Sequence, residues 1–284
     1  MQELKHKPSK TTSFFRILGQ MVGPAFLSVF SLIMILPFIW MLLLSFKNKH
    51  EIAKANTILP KEWTFDNYIK VFQTVPIVRW FANSLIITVS VTLIVLLTSS
   101  LVGFIFAKYR FKGKNAIFWF ILATMMVSPQ TTMIPSFLLI NRMGMYDKLT
   151  SLIIPMMVGG FGIYLCKQFI EEIPDSVCEA AIIDGAGDLY VYIRIIIPMI
   201  RPALGALAIF TFLMNWNEYM LPLIYLSKPI NMTLSLAISF FSTQRTTDVG
   251  AIMAVAALVM LPVAIVFLIL QKQFIKGIAT TGLK

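Results

Sequence analysis

Charge is missing from long parts of this chain. No charged residue occurs from Ile17 to Phe46, Trp80 to Ala107, Asn115 to Asn141, Leu149 to Cys166, or Val249 to Gln271. Pro202 to Ser227 carries only Glu218. A helix that crosses a bilayer needs ~20 mainly apolar residues, and each of these stretches supplies about that many. Leu149–Cys166 is the tightest, and it extends through Lys167 to Phe169 because a terminal lysine can snorkel. The whole chain is 58% hydrophobic and 13% charged. Soluble domains are about one-quarter charged, so the apolar excess points to lipid. The expectation is an all-α membrane protein with six transmembrane helices in a single bundle.

Pro229–Gln244 is also uncharged but short, and it holds Asn231, Thr233, Ser235, Ser239 and Ser242. It reads as a re-entrant or interfacial element, with a seventh span as the alternative. The first stretch is too long for a secretory h-region and no small-x-small cleavage site follows it, so it is expected to stay in the mature protein.

The net charge is +11. The basic residues flank the apolar stretches and form no stripe with interleaved aromatics, which argues against nucleic acid and for a bilayer. Lys5, Lys7, Lys10 and Arg16 precede the first stretch, and Lys108, Arg110, Lys112 and Lys114 follow the second. Lys167, Arg194 and Arg201 follow the fourth, and Lys272, Lys276 and Lys284 lie in the tail. By the positive-inside rule this side, with both termini, is cytoplasmic. Cys166, Cys178, His6 and His50 have no metal-ligand spacing, so a metal site is not expected. A disulfide is not expected either, because Cys166 is in an apolar stretch and Cys178 in a polar one.

Glu171, Glu172, Asp175, Glu179, Asp184 and Asp188 crowd the loop after the fourth stretch. Ser176 and Glu179 have capping-box spacing. Gly185 and Gly187 suit a left-handed stop or a tight turn. Asp188 can cap a second short helix that Pro198 ends. A well-capped cytoplasmic hairpin by itself would satisfy these residues.

The run EAAIIDGAGDLYVYIRIIIP, Glu179 to Pro198, resembles the EAA loop of binding-protein-dependent ABC permeases. Glu179, Ala180, Ala181, Gly185, Ile195 and Pro198 stand at the motif offsets, and Asp184 and Ala186 match common choices. Ile197 replaces the usual leucine. FKNKHEI, LPKEWTFDNYIKVF, NSLIITV, SPQTTMIPSFLLINRMGMYDKLTSLIIP and NWNEYMLPL are similar to the carbohydrate-uptake branch. The likeness covers nearly the whole chain and is strongest to the shorter maltose-type permease.

The resemblance implies a type I importer permease fold in the cytoplasmic membrane of a bacterium or archaeon. It divides the chain into a cytoplasmic N-terminal segment (1–20), a permease domain (21–275) and a cytoplasmic tail (276–284). The loop 171–200 would be a coupling helix that docks on an ATPase, with Glu179, Ala180, Ala181, Asp184, Gly185, Ala186, Ile195 and Pro198 as coupling residues. The implied partners are a second permease subunit, two ATPase subunits and an extracytoplasmic solute-binding protein. Gly282-Leu283-Lys284 would reach toward the ATPase, where a frayed terminus is the plain alternative. The chain has no phosphate-binding G-x-x-x-x-G-K-[ST] motif, so ATP and Mg²⁺ belong to the partner and no cofactor is expected here.

Asn215-Trp216-Asn217-Glu218-Tyr219 interrupts the fifth apolar stretch. On a continuous helix Asn215, Glu218 and Tyr219 share a face. Polar groups at membrane depth look into protein or a watery cavity. Asn215, Asn217, Glu218 and Tyr219 are therefore pathway candidates, as are Gln130 beside Pro129 and Asn83; helix-to-helix pinning is the alternative. A secondary transporter or channel is a further reading, but Glu218 has no intramembrane His or Arg to relay protons with. A glycerol-phosphate permease would carry the same motifs.

Overall fold

A computed structural model of the protein describes residues 10–54, 57–242 and 248–281, and for 10–22, 270 and 272–281 only the backbone. Most of the first half of the 1–20 segment and the Gly282-Leu283-Lys284 end lie outside the described residues. Among the described residues the regular structure is helical. Helix α1 runs Lys10–Ser45, α2 Lys49–Lys54, α3 Asp66–Thr74 and α4 Ile77–Lys108. Next come α5 (Lys114–Thr124), α6 (Pro129–Arg142), α7 (Thr150–Ile153), α8 (Gly160–Glu171) and α9 (Asp175–Ile183). The chain continues through α10 (Asp188–Tyr190), a π-helical turn at Val191–Ile196, α11 (Ile197–Met199) and α12 (Arg201–Trp216). Helices α13 (Met220–Tyr225), α14 (Leu234–Phe240) and α15 (Val249–Thr281) complete it.

Among the described residues, three helices are long and apolar enough to cross a membrane unbroken: Gly23–Ser45, Ile77–Lys108 and Val249–Ile269. Three bent pairs make up the count to six crossings if each is one span. The α5–α6 pair turns through 97°, the pair ending in α8 through 41° and the pair ending in α12 through 76°. The third uncharged stretch is thus two helices. Proline at 129, with no N–H, starts α6 after the break at Met125–Ser128.

The long helix α4 is central and packs on α8, α12 and α14. Its buried side includes Ile87, Val91, Val95, Ser99 and Gly103, each four residues after the last. Small residues let the α4 and α8 backbones approach closely. A Cβ on Gly103 would lie 2.9 Å from the Lys167 backbone nitrogen, and one on Gly162 would lie 2.2 Å from Ser99 Oγ. One apolar core gathers Phe104, Cys166, Ile170, Tyr192, Ile196 and Leu207. A second joins Val71, Trp80, Phe212, Trp216, Leu234 and Ala254. Phe26, Leu32, Met34 and Leu36 of α1 are exposed, as a helix facing lipid or a second subunit requires.

Pro229–Gln244 is not a span. It forms a 3₁₀ turn at Pro229–Asn231 and then the seven-residue α14, far too short to cross. Leu234, Leu236 and Ala237 are buried, so the segment folds back into the bundle. Asn83 on α4 holds it there: Asn83 Nδ2 donates to the Ile230 and Met232 carbonyls, both at 2.9 Å. Ser84 Oγ accepts from Leu234 N at 2.8 Å. The connection before α4 is knit as tightly, with Asn67 Nδ2 donating to Ser45 O at 2.9 Å and Lys47 O at 2.8 Å.

Candidate coupling loop and translocation cleft

The loop between α8 and α12 begins with an abrupt helix start. Pro174 is extended (φ −58°, ψ 135°) and α9 follows at once from Asp175. This corrects the capping box: Ser176 lies inside the first turn, and no side chain caps the start. Nor does Asp188 cap the second helix. Gly187 holds that position, extended at φ −77°, ψ 164°, and Asp188 is the first helical residue. Pro198 sits within α11, and the chain bends one residue after that helix, at Ile200.

The end of α9 is well determined. Gly185 is left-handed at φ 87°. Its N–H donates to Ile182 O at 3.0 Å, and Ala186 N donates to Ala181 O at 2.9 Å. This bond pair is the Schellman stop, which favours glycine at its left-handed position. Nothing lies within 4 Å of where a Gly185 Cβ would be, so backbone conformation alone selects the residue.

Glu179, Ala180, Asp184 and Gly185 are exposed, while Ala181, Ala186, Ile195 and Pro198 are half-buried against the bundle. The motif therefore has an outer and an inner side. Sequence reasoning missed four outer residues: Ile182, Ile183, Leu189 and Tyr190 are 52%, 84%, 68% and 57% exposed. Exposed apolar side chains in a polar loop mark a contact surface. Their signal was apolar residues at the very ends of two short helices, where no core-facing period demands them.

Two ties join the loop to the end of α4. Lys108 Nζ donates to Ile173 O at 2.5 Å and to Asp175 Oδ1 at 2.6 Å. The hydrogen bond from Lys108, and then its charge, hold the Asp175 carboxyl below its ordinary pKa. Tyr109 is pushed up to about 12 by burial and then by its hydrogen bond to Asp188. Deeper in, Ser100 Oγ and Tyr192 OH are 2.7 Å apart, and Phe104 packs on Tyr192 with centroids 5.5 Å apart. Burial raises the Cys178 thiol, so it is a packing group.

At the other candidate region α12 stops at Trp216, and Asn217 is its C-cap. The expected continuous fifth helix is therefore corrected: the chain breaks at Asn217–Tyr219 and restarts as α13. Asn215 Nδ2 and Asn217 Nδ2 turn back onto the Thr211 and Leu213 carbonyls at 2.7 and 2.8 Å. Glu218 Oε1 accepts from Leu221 N at 3.1 Å and so caps the restart. Local polar bonds of this kind compete with helix continuation.

The break sorts the candidates into two groups. Asn215 and Glu218 line a cavity of about 10 Å³ with Ser84, Thr88 and Thr233. That is room for one water, not a sugar. Asn217 and Tyr219 line a separate cleft of about 430 Å³ with Ser235, Ser239 and Ser242. Trp216 borders both but is 2% exposed, and its Nε1 donates to Val259 O at 2.9 Å, so its ring is core and not a stacking platform. The Asn83 amide is committed to two carbonyls, and Gln130 lies at the α5–α6 break, outside both spaces.

Apolar crossings, unbroken or as bent pairs, define a multi-pass helical membrane protein. Residues 99–280 match the family model of the binding-protein-dependent transport system inner membrane component, and the chain belongs to that family. It is 32% identical to the arabinooligosaccharides transport system permease AraQ of Bacillus subtilis, covering 99% of both chains. It is 30% identical to the lactose transport system permease LacG of Rhizobium radiobacter, over 94% of this chain and 97% of that one. The diacetylchitobiose uptake permease NgcG of Streptomyces coelicolor is 29% identical over 92% of this chain and 87% of that protein. The fold matches a chain in the crystal structure of a bacterial ABC transporter involved in alginate import. That match has a TM-score of 0.79 at 24% identity, over 95% of this chain and 100% of that one. The chain is a non-catalytic transport subunit, as its family is.

Proposed function

We propose that this chain is one of two permease subunits of an ATP-driven importer for a sugar or oligosaccharide. It forms half of the pore. A dimer of cytoplasmic ATPase subunits, which holds ATP and Mg²⁺, drives it, and an extracytoplasmic solute-binding protein delivers the cargo. Both termini and the 171–200 loop are cytoplasmic on this reading. The carrying observation is the α9–Gly185 hairpin, which presents Ile182, Ile183 and Leu189 to solvent while Lys108 ties it to the central helix α4. A push on the outer face then reaches a helix that crosses the membrane. The relatives named for arabinooligosaccharides, lactose and diacetylchitobiose support a carbohydrate cargo.

Proteoliposomes carrying the full complex test this. Addition of binding protein with labelled oligosaccharide, and ATP on the ATPase side, should give uptake that stops without ATP. Uptake without the ATPase or without ATP would contradict the proposal.

A further inference from the structure

The cleft beside the helix break has a wall that the motif residues do not account for. Helix α14 presents Ser235 and Ser239 four residues apart, and Ser242 follows just past its end. All three line the cleft of about 430 Å³, a volume within the ~300–1,000 Å³ of small-molecule sites. Asn217 and Tyr219 line the same cleft. Ser235 Oγ donates to Glu218 O at 2.7 Å and accepts from Thr233 Oγ1 at 3.0 Å, and Ser239 Oγ donates to Leu236 O at 2.8 Å, so Ser235 keeps one acceptor lone pair and Ser239 both of its own. Asn217 spends one amide hydrogen on Leu213 O and keeps its carbonyl oxygen, and Tyr219 OH has no partner among the described residues. Five uncharged polar side chains thus line one space, together with Trp216, Ile238 and Val259. Among the described residues no charged side chain lines the cleft.

We propose that the serine face of α14, with Asn217 and Tyr219, forms a subsite for a neutral sugar unit in transit. Hydroxyls and amides without charge match the alternating donors and acceptors of a sugar ring, and an exposed tyrosine offers it a flat apolar face. The contacts are few and partly self-satisfied, which suits a site that must release its cargo. Asn83 and Ser84 keep the wall in place by pinning the chain just before α14. The assignment rests on the import reading and names its contact residues.

Single cysteines test it in the assembled complex in proteoliposomes. Ser239→Cys and Ser242→Cys change one atom, so they are expected to fold, and Cys166 and Cys178 of the parent are buried. With binding protein, oligosaccharide and a non-hydrolysed ATP analogue, labelling of both cysteines by a small thiol reagent should slow severalfold, while Ile265→Cys on the exposed side of α15 is unaffected. Cationic and anionic reagents of similar size should label position 239 at similar rates. Equal labelling with and without oligosaccharide overturns the subsite, and a marked preference for either charge overturns its neutral character. Uptake by the same vesicles shows separately whether the import reading stands.

Discussion

Lys108 at the end of α4 holds Asp175 at the start of α9, Nζ to Oδ1 at 2.6 Å, with the lysine nearly buried and the aspartate exposed. The same ammonium also takes the Ile173 carbonyl. One side chain thereby fixes both the chain entering the hairpin and its first turn. Lys108→Ala should leave insertion intact and lower transport per ATP hydrolysed. In a Lys108→Asp/Asp175→Lys exchange the ion pair returns but the Ile173 bond does not, so partial recovery is expected. The check is uptake and ATP hydrolysis measured on one preparation; full coupling in Lys108→Ala would remove the tie from the account.

Gly185 is selected by conformation and not by space, which makes a graded prediction possible. Leaving glycine for a β-carbon residue in the left-handed region costs roughly 1–2 kcal/mol, and asparagine suffers least. Gly185→Asn should therefore keep most substrate-stimulated ATP hydrolysis, and Gly185→Val should lose most of it. Equal loss in both would point to a steric contact on the partner instead.

Asn83 supplies a stability prediction distinct from transport. Asn83→Leu leaves the Ile230 and Met232 carbonyls without their donor, and each lost hydrogen bond costs about 0.5–1.5 kcal/mol. The purified complex should melt at a lower temperature and the segment before α14 should become more sensitive to protease. Unchanged melting would show that these carbonyls find other donors.

Orientation is tested by Lys112→Cys and Ile58→Cys, both at exposed positions. An impermeant thiol reagent should reach them from opposite sides of the membrane. Labelling of both from one side would contradict cytoplasmic termini.

The crossings were legible in the sequence because a bilayer punishes charge at any depth, so Trp80 to Ala107 and Val249 to Gln271 could be read directly as helices. Bends were not. Asn115–Asn141 looks continuous by charge, yet Ser128-Pro129 turns it, and charge counting is blind to a missing N–H. Helix periodicity misplaces the Asn215–Tyr219 run, because Asn215 and Asn217 bond back to their own backbone and the helix ends there. Ser176 illustrates a different limit: capping-box spacing was present, but Pro174 had already set the helix start. The Schellman turn at Gly185 was legible because few arrangements require that residue. Lys108–Asp175 was not, since it joins residues far apart in the chain.

The direct test of the account places a photo-crosslinking phenylalanine analogue at Ile183, the most exposed apolar residue of the hairpin at 84%. In membranes holding the complete importer, illumination should give an adduct with the ATPase subunit, and its yield should change when ATP replaces no nucleotide. Adducts to lipid alone, or none that depend on the ATPase, would contradict the coupling role on which the account rests.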